Sequence, residues 1–360
     1  MHFGATFKLL TRPYARATSD GGTTVMITSQ EPARLRRAGS QLTRDLPSPS
    51  SGDSGLKPLR TESCRLPSFL AVGPPRTGTT WLHKALEKHA NLPRHNKETR
   101  FFDTYYSKGL RWYCAHFDRS AFSLPLGEVC PTYFYSEQAR TRIAELVPDM
   151  RIICTLRDPV ERIFSLYRIK RAYGAPLRSL DEALLCDPEL MESSRYVFHL
   201  SRWQALFGDK NVLITIYDDL VWDPQAYIDR IVDFIGIPRF QLKGRLTLRI
   251  NSSENAVNPV SFRWTRFSSI AADWLKEHRL GALVTAVKKT VLLRLFVGAG
   301  PEIPSLDPAT AGRLREMFRP EVERLEELLE RDLSDWKSPQ GVVPRDTHAR
   351  FGTPDRRADT

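Results

Sequence analysis

Cysteine is scarce and unpatterned. The five residues, Cys64, Cys114, Cys130, Cys154 and Cys186, are odd in number and include no C-x-x-C pair. Such spacing excludes a zinc ribbon and a dense disulfide framework. The thiols therefore read as free and buried in a reducing compartment, with a Cys114–Cys130 bridge as the alternative. Long apolar runs are missing as well. No stretch reaches the roughly 18 residues of a membrane span, and Leu280 to Val297, the nearest candidate, is broken by Lys288, Lys289 and Arg294. The N-terminal segment has no apolar centre of the kind a secretory signal needs. It is rich in Arg, Ser and Thr, and Asp20 and Glu31 are its sole acidic residues before position 45. That composition fits an organelle transit peptide or a disordered start, and Met26 is an alternative first residue. Acidic residues are in deficit, leaving a net charge of +11 over 360 residues. About half of that excess falls in the two ends, so the central part is only modestly basic. A surface of that kind suits an anionic cofactor or a polyanionic acceptor, and no nucleic-acid partner is expected.

The length suits one domain of roughly 250–300 residues with ragged ends. Residues 1–63, centred on Leu46-Pro47-Ser48-Pro49-Ser50-Ser51-Gly52, are too polar to pack and read as a disordered extension and linker. Residues 64–337 should form the domain, and residues 338–360 a disordered tail.

What is present is a strand, an anion-binding loop and a helix. The apolar run Phe69-Leu70-Ala71-Val72 leads into Gly73-Pro74-Pro75-Arg76-Thr77-Gly78-Thr79-Thr80, and Trp81, Leu82, Ala85 and Leu86 then recur with helical spacing. A helix N-terminus offers unpaired N–H groups and the positive end of a dipole, so such a loop readily holds a phosphate. The spacing is G-x-x-x-x-G, but Thr79 stands where a nucleoside-triphosphate loop places its Lys. Arg76 is the loop's one cation. The loop argues for phosphate and against ATP or GTP.

Further along, residues 137–146 read as a helix and Arg151-Ile152-Ile153-Cys154-Thr155-Leu156 as a second strand. Asp158 suits an N-cap and Pro159 the first helical position. Val160, Ile163, Phe164 and Tyr167 extend that helix at i, i+3, i+4 and i+7. Val212-Leu213-Ile214-Thr215-Ile216 reads as a third strand and Ala226 to Ile235 as another helix. Short apolar strands alternating with helices imply an α/β fold, a parallel sheet with helices on both faces. Ligands bind beyond the carboxyl ends of such strands, where Arg76 and Arg157 both lie.

Two separated elements resemble one family, the sulfotransferases that use 3′-phosphoadenylyl sulfate (PAPS). The loop Gly73 to Trp81 is similar to their 5′-phosphosulfate loop, and Leu156-Arg157-Asp158-Pro159 through Ser165-Leu166-Tyr167 to their 3′-phosphate-binding strand and helix. Lys97-Glu98-Thr99-Arg100-Phe101-Phe102-Asp103 resembles the segment carrying the catalytic glutamate in the heparan-sulfate branch and its bacterial relatives. Gly127 to Tyr133, and Arg319 through Trp336, fit that branch too.

The resemblance implies a P-loop-like parallel sheet and PAPS as co-substrate, with no metal. It implies that Arg76, Thr77, Gly78, Thr79 and Thr80 wrap the 5′ group and that Arg157 and Ser165 bind the 3′-phosphate. Trp81 and Tyr217 would approach adenine. Arg76, where the family usually has Lys, would answer charge on the bridging oxygen. Glu98 would take the acceptor's proton, desolvated by the aromatic wall of Phe101, Phe102, Tyr105, Tyr106, Trp112, Tyr113 and Phe117. His95 is the rival base. A Lys/Arg–Gly loop closes over the cofactor in many relatives, and here Leu242-Lys243-Gly244-Arg245 precedes Arg249 and Asn251 without settling which cation closes. The acceptor would be a carbohydrate or glycosylated small molecule. A soluble cytoplasmic enzyme of the bacterial type is expected, with organelle targeting as the alternative. A nucleotide-dependent kinase and a non-catalytic binding protein of the same fold are the competing readings. Oligomeric state is not legible.

Overall fold

The computed structural model describes residues 65–247, save 95, 122 and 178, and residues 303–338, save 304. The extension expected at 1–63, all of the tail expected at 338–360 except Ser338, the apolar stretch 280–297, Arg249, Asn251 and His95 lie outside the described residues. No helix among those described is long and apolar enough to cross a membrane.

Strands β1 (Phe69–Ala71), β2 (Gly127–Val129), β3 (Arg151–Leu156) and β4 (Val212–Ile216) form one sheet in the order β2-β1-β3-β4. All its pairings are parallel. Three of these strands coincide with the apolar runs, because a parallel strand buried on both faces must be apolar throughout. β2 was not legible as a strand. Its three residues are Gly-Glu-Val, and Gly127 is there because a Cβ would come within 2.2 Å of the Phe69 ring.

Alternation divides the core. Leu70, Ile152, Cys154 and Leu156 face one cluster, which includes the aromatic wall. That cluster also takes in Ala139 and Ile143 of α3 (Glu137–Leu146). Phe69, Ala71 and Ile153 face the other, with α1 (Thr79–Leu86). The wall includes a short helix, α2 (Gly109–Cys114). Helices α4 (Pro159–Ala172), α5 (Leu180–Cys186) and α6 (Pro188–Glu192) contribute to a third cluster. The chain continues through α7 (Tyr196–Phe207), α8 (Tyr217–Trp222) and α9 (Pro224–Ile235), which buries Tyr227, Ile228, Ile231, Val232 and Ile235 along one face against the second cluster. The long α10 (Pro308–Leu329) joins the third cluster through Leu314 and Phe318 and the first through Val322 and Leu325.

The reading of free, buried thiols holds for Cys130 and Cys154, holds only in part for Cys186, which is free but exposed, and fails for Cys114, which is disulfide-bonded. The Cys114–Cys130 alternative fails with it, because Cys130 is a buried free thiol beside β2. An odd cysteine count and absent C-x-x-C spacing carry no information about which distant segments the fold brings together.

Candidate active site

From β1 the chain reaches β2 on one side, then returns past β1 to β3 on the other. The crevice between the carboxyl ends of β1 and β3 is thus the switch point of the sheet, where open α/β sheets bind ligands. Both arginine-bearing loops leave from it.

The first loop is held tightly against β3. A Cβ on Gly73 would lie 2.0 Å from Thr155 Oγ1 and 2.4 Å from Thr155 N, so only glycine fits. The Thr77 hydroxyl is buried and donates to Pro74 O at 2.8 Å, so at 2.6 Å it accepts from Thr155 Oγ1. That side chain builds the loop, and what Thr77 offers a ligand is its N–H. Arg76 stands at φ 76° and Gly78 at φ 91°. The left-handed Arg76 costs on the order of 1–2 kcal/mol, a strain that the packed loop sustains. Gly78 is the N-cap of α1 and supplies no side-chain cap, so the first-turn N–H groups stay available to an anion.

The second loop converges on the first. Arg76 Nε donates to Ser165 Oγ at 2.9 Å, joining the loop after β1 to α4. Arg157 donates weakly to Arg76 O and to Glu161 Oε2, at 3.5 and 3.4 Å. Its guanidinium also lies 4.8 Å from the centroid of the Tyr217 ring, and Tyr217 in turn packs beside Gly78. Asp158 caps α4 as its position implies, accepting from Val160 N at 2.8 Å and pairing with Arg315 at 3.0 Å. Burial pushes its carboxyl up to about 6, against the opposing pull of Arg315.

Trp81 is buried in the core of α1. Its indole N–H donates to Leu246 O at 3.0 Å, which pins the turn Gly244–Thr247 onto α1. Its ring meets Tyr227 edge-on, with centroids 5.9 Å apart.

Opposite the head of α1 stands the segment Lys97–Tyr106. Lys97 Nζ donates to Glu98 Oε1 at 3.0 Å and to both Thr79 Oγ1 and Thr80 Oγ1 at 3.3 Å. The Glu98 side chain remains 30% exposed. The chain then turns at Arg100, φ 53°, into a single π-helical turn, Phe101–Tyr105. The aromatic wall is there, with Phe101 stacked on Tyr113 at 4.7 Å, but the carboxyl it encloses is Glu128 of β2. Glu128 accepts from Thr99 N at 2.6 Å and from Tyr113 Oη at 3.2 Å. Burial raises its carboxyl to about 7, despite the bonds from Thr99 and Tyr113 that lower it. The expectation that the wall desolvates Glu98 is corrected. Thr99 is the residue turned inward, buried against Glu128, while Glu98 stays partly exposed.

A family model described as a sulfotransferase domain matches residues 66–262. The chain belongs to the sulfotransferase domain family. The bifunctional heparan sulfate N-deacetylase/N-sulfotransferase 4 of Mus musculus is 32% identical over 213 residues, covering 52% of this chain and 24% of its own length. Heparan sulfate glucosamine 3-O-sulfotransferase 6 of Mus musculus is 31% identical over 183 residues, 49% of this chain and 54% of its own. The chain therefore spans about a quarter of the first relative and about half of the second. The crystal structure of a sulfotransferase from Alicyclobacillus acidocaldarius superposes with a TM-score of 0.54 at 20% identity, covering 76% of this chain and 100% of that one, which supports the parallel-sheet fold.

In this sulfotransferase domain the fold brings Arg76, Gly78, Arg157, Ser165 and Tyr217 together, and sets Glu98 across from Thr79 and Thr80. Two charged residues escaped the sequence reading. Lys97 was visible only as a neighbour of Glu98, and its three contacts depend on tertiary approach. Glu128 was visible as an acidic residue between Leu126-Gly127 and Val129-Cys130, and that uncharged setting is the one local signal that it is buried. His83 on α1 is held down at about 4 by burial and by the charge of Lys97, so it stays neutral above that range. Among the described residues no group of three or more His, Cys, Asp or Glu side chains could hold a metal ion.

Proposed function

We propose that this protein transfers a sulfuryl group from PAPS to a hydroxyl or amine of a carbohydrate or glycosylated small molecule. The observation that carries the reading is the hydrogen bond between Arg76 and Ser165, with Arg157 beside it, at the switch point of the sheet. One anionic ligand with two separated phosphate groups matches a paired site of this kind. The fit is chemical: uncapped first-turn N–H groups on α1, guanidinium groups and a buried hydroxyl make a donor set for phosphate and sulfate oxygens. The two mammalian relatives are named for sulfating heparan sulfate, which supports a saccharide acceptor.

In this reading the N–H groups from Thr77 to Thr80 hold the 5′-phosphosulfate, and Arg157 and Ser165 hold the 3′-phosphate. Tyr217, stacked by Arg157, would meet the adenine. Trp81 would bound the adenine pocket from within the core and hold the Gly244–Thr247 turn over it. Glu98, the half-buried carboxylate facing the loop, takes the acceptor's proton as the acceptor attacks sulfur.

The test has two arms. Thermal unfolding is followed with PAPS, with its desulfated product adenosine 3′,5′-bisphosphate (PAP), and with ATP and Mg²⁺. The adenosine 3′-phosphates should stabilise by ~2.7 kcal/mol at a hundred-fold excess over the dissociation constant, and ATP far less. Equal stabilisation by ATP would sink the donor assignment in favour of a kinase. Transfer of labelled sulfate from PAPS to glycan, lipid and phenolic acceptors then identifies the acceptor class, and no transfer to any of them favours a non-catalytic binding protein.

A further inference from the structure

The candidate donor loop has one cation of its own, Arg76, and its Nε is turned onto Ser165 of α4. The head of α1 is reached by a different cation. Lys97 Nζ lies 3.3 Å from the hydroxyls of Thr79 and Thr80, which open that helix, and 3.0 Å from the Glu98 carboxylate. Its side chain is only 23% exposed.

A positive charge at a helix N-terminus is misplaced on its own account, because the positive end of the helix dipole is already there. The two threonine hydroxyls satisfy ammonium N–H bonds without balancing the charge. Glu98 balances it, yet Glu98 is the residue that must be available to an acceptor. The placement becomes favourable when an anion sits between the helix head and the ammonium, since the dipole and the cation then act on it together.

We propose that Lys97, and not Arg76, is the cation that holds the 5′-phosphosulfate of PAPS at the head of α1 and answers the charge on the departing phosphate. Arg76 serves the 3′ side through Ser165. The inference rests on the donor assigned under Proposed function. In the transfer step, a lone pair on the acceptor oxygen or nitrogen forms the bond to sulfur. The bond from sulfur to the bridging phosphate oxygen breaks, and its electron pair leaves on that oxygen, giving PAP. The acceptor's proton passes to Glu98. Lys97 keeps its protons throughout. As its ammonium turns to the phosphate oxygens it lets go of Glu98, so donor binding and release of the base become one event.

The test compares PAP with adenosine 3′-monophosphate, which lacks the 5′ group, in calorimetric titrations of the full chain. Lys97→Met should weaken PAP by about tenfold or more, the scale of a charge-assisted contact, and leave adenosine 3′-monophosphate within about twofold. Arg76→Met should weaken both. Lys97→Arg should keep PAP within about fivefold of wild type, since the charge is retained. Should Lys97→Met not fold, Lys97→Gln carries the same comparison. If neutral variants at Lys97 weaken the two nucleotides alike, or weaken neither, the proposal is overturned. A pattern in which Arg76→Met alone loses the 5′ preference overturns it in favour of Arg76. A wild-type protein that binds neither nucleotide overturns the donor assignment itself, a result distinct from any of these.

Discussion

Two carboxylates thirty positions apart stand on opposite sides of one short segment, and their surroundings could hardly differ more. Glu98 faces the loop, 30% exposed and paired with Lys97. Glu128 lies beneath, fully buried, bonded by Thr99 N and Tyr113, and raised to about 7 by burial. Thr99 is the hinge between them, because the residue after the candidate base is the one that Glu128 holds. The outer carboxylate is the one proposed to take the acceptor's proton. The inner one fixes the backbone that carries it. Position relative to the aromatic wall, rather than residue type, separates the two roles.

The largest effect expected is on the outer carboxylate. Glu98→Gln keeps size and hydrogen bonding but cannot accept a proton, so turnover should fall ~10²–10⁴-fold while PAP affinity changes little. His95→Asn should be mild by comparison. Single-turnover sulfate transfer on any acceptor found by screening decides it, and a Glu98→Gln variant retaining more than about a tenth of wild-type turnover would make Glu98 an ordinary polar neighbour.

The inner carboxylate should report itself through stability. Its folded value, about 7, lies above the unfolded reference of 4.5. Between those values the folded state holds a proton that the unfolded state has lost. Stability is therefore undiminished below about 4.5 and falls as pH rises through about 7, by on the order of 3 kcal/mol from this group. Glu128→Gln should remove that part of the slope. Urea midpoints at pH 5 and pH 8 for both proteins measure it, and parallel slopes would mean that Glu128 is not the proton-holding group.

A smaller contrast separates the two residues proposed to hold the 3′-phosphate. Arg157→Ala should weaken PAP by about tenfold or more, and Ser165→Ala by about fivefold, since one removes a full charge and the other a hydroxyl. If calorimetry shows neither changing affinity, the 3′ site lies elsewhere. The smallest effect belongs to Trp81. Trp81→Phe removes the indole N–H from Leu246 O and should lower stability by about 1 kcal/mol in chemical denaturation. A change of several kcal/mol would mean that the indole's bulk, not its hydrogen bond, holds the Gly244–Thr247 turn.

Much of this was legible in one dimension. β1, β3 and β4 coincide with their apolar runs, α3 and α4 with their periodicity, and α9 begins two residues ahead of the expected start because Asp223 caps it and Pro224 opens it. The G-x-x-x-x-G loop, the missing Lys and the Asp-Pro start of α4 named an anion site from local chemistry, and the family resemblance rested on these residues together with Lys97–Asp103, Gly127–Tyr133 and Arg319–Trp336. Those signals are local because helices, strands and caps are set by neighbours within a few residues. Tertiary structure alone decided the rest. It made β2 a strand from three unremarkable residues, because Gly127 admits the Phe69 ring. It bonded Cys114 into a disulfide, laid Trp81 against Leu246 and brought Lys97 to the head of α1. It also turned the aromatic wall upon Glu128 instead of Glu98. Each of these is a contact between residues far apart in the chain or on opposite faces of one segment, and burial and electrostatics depend on such distances rather than on sequence spacing.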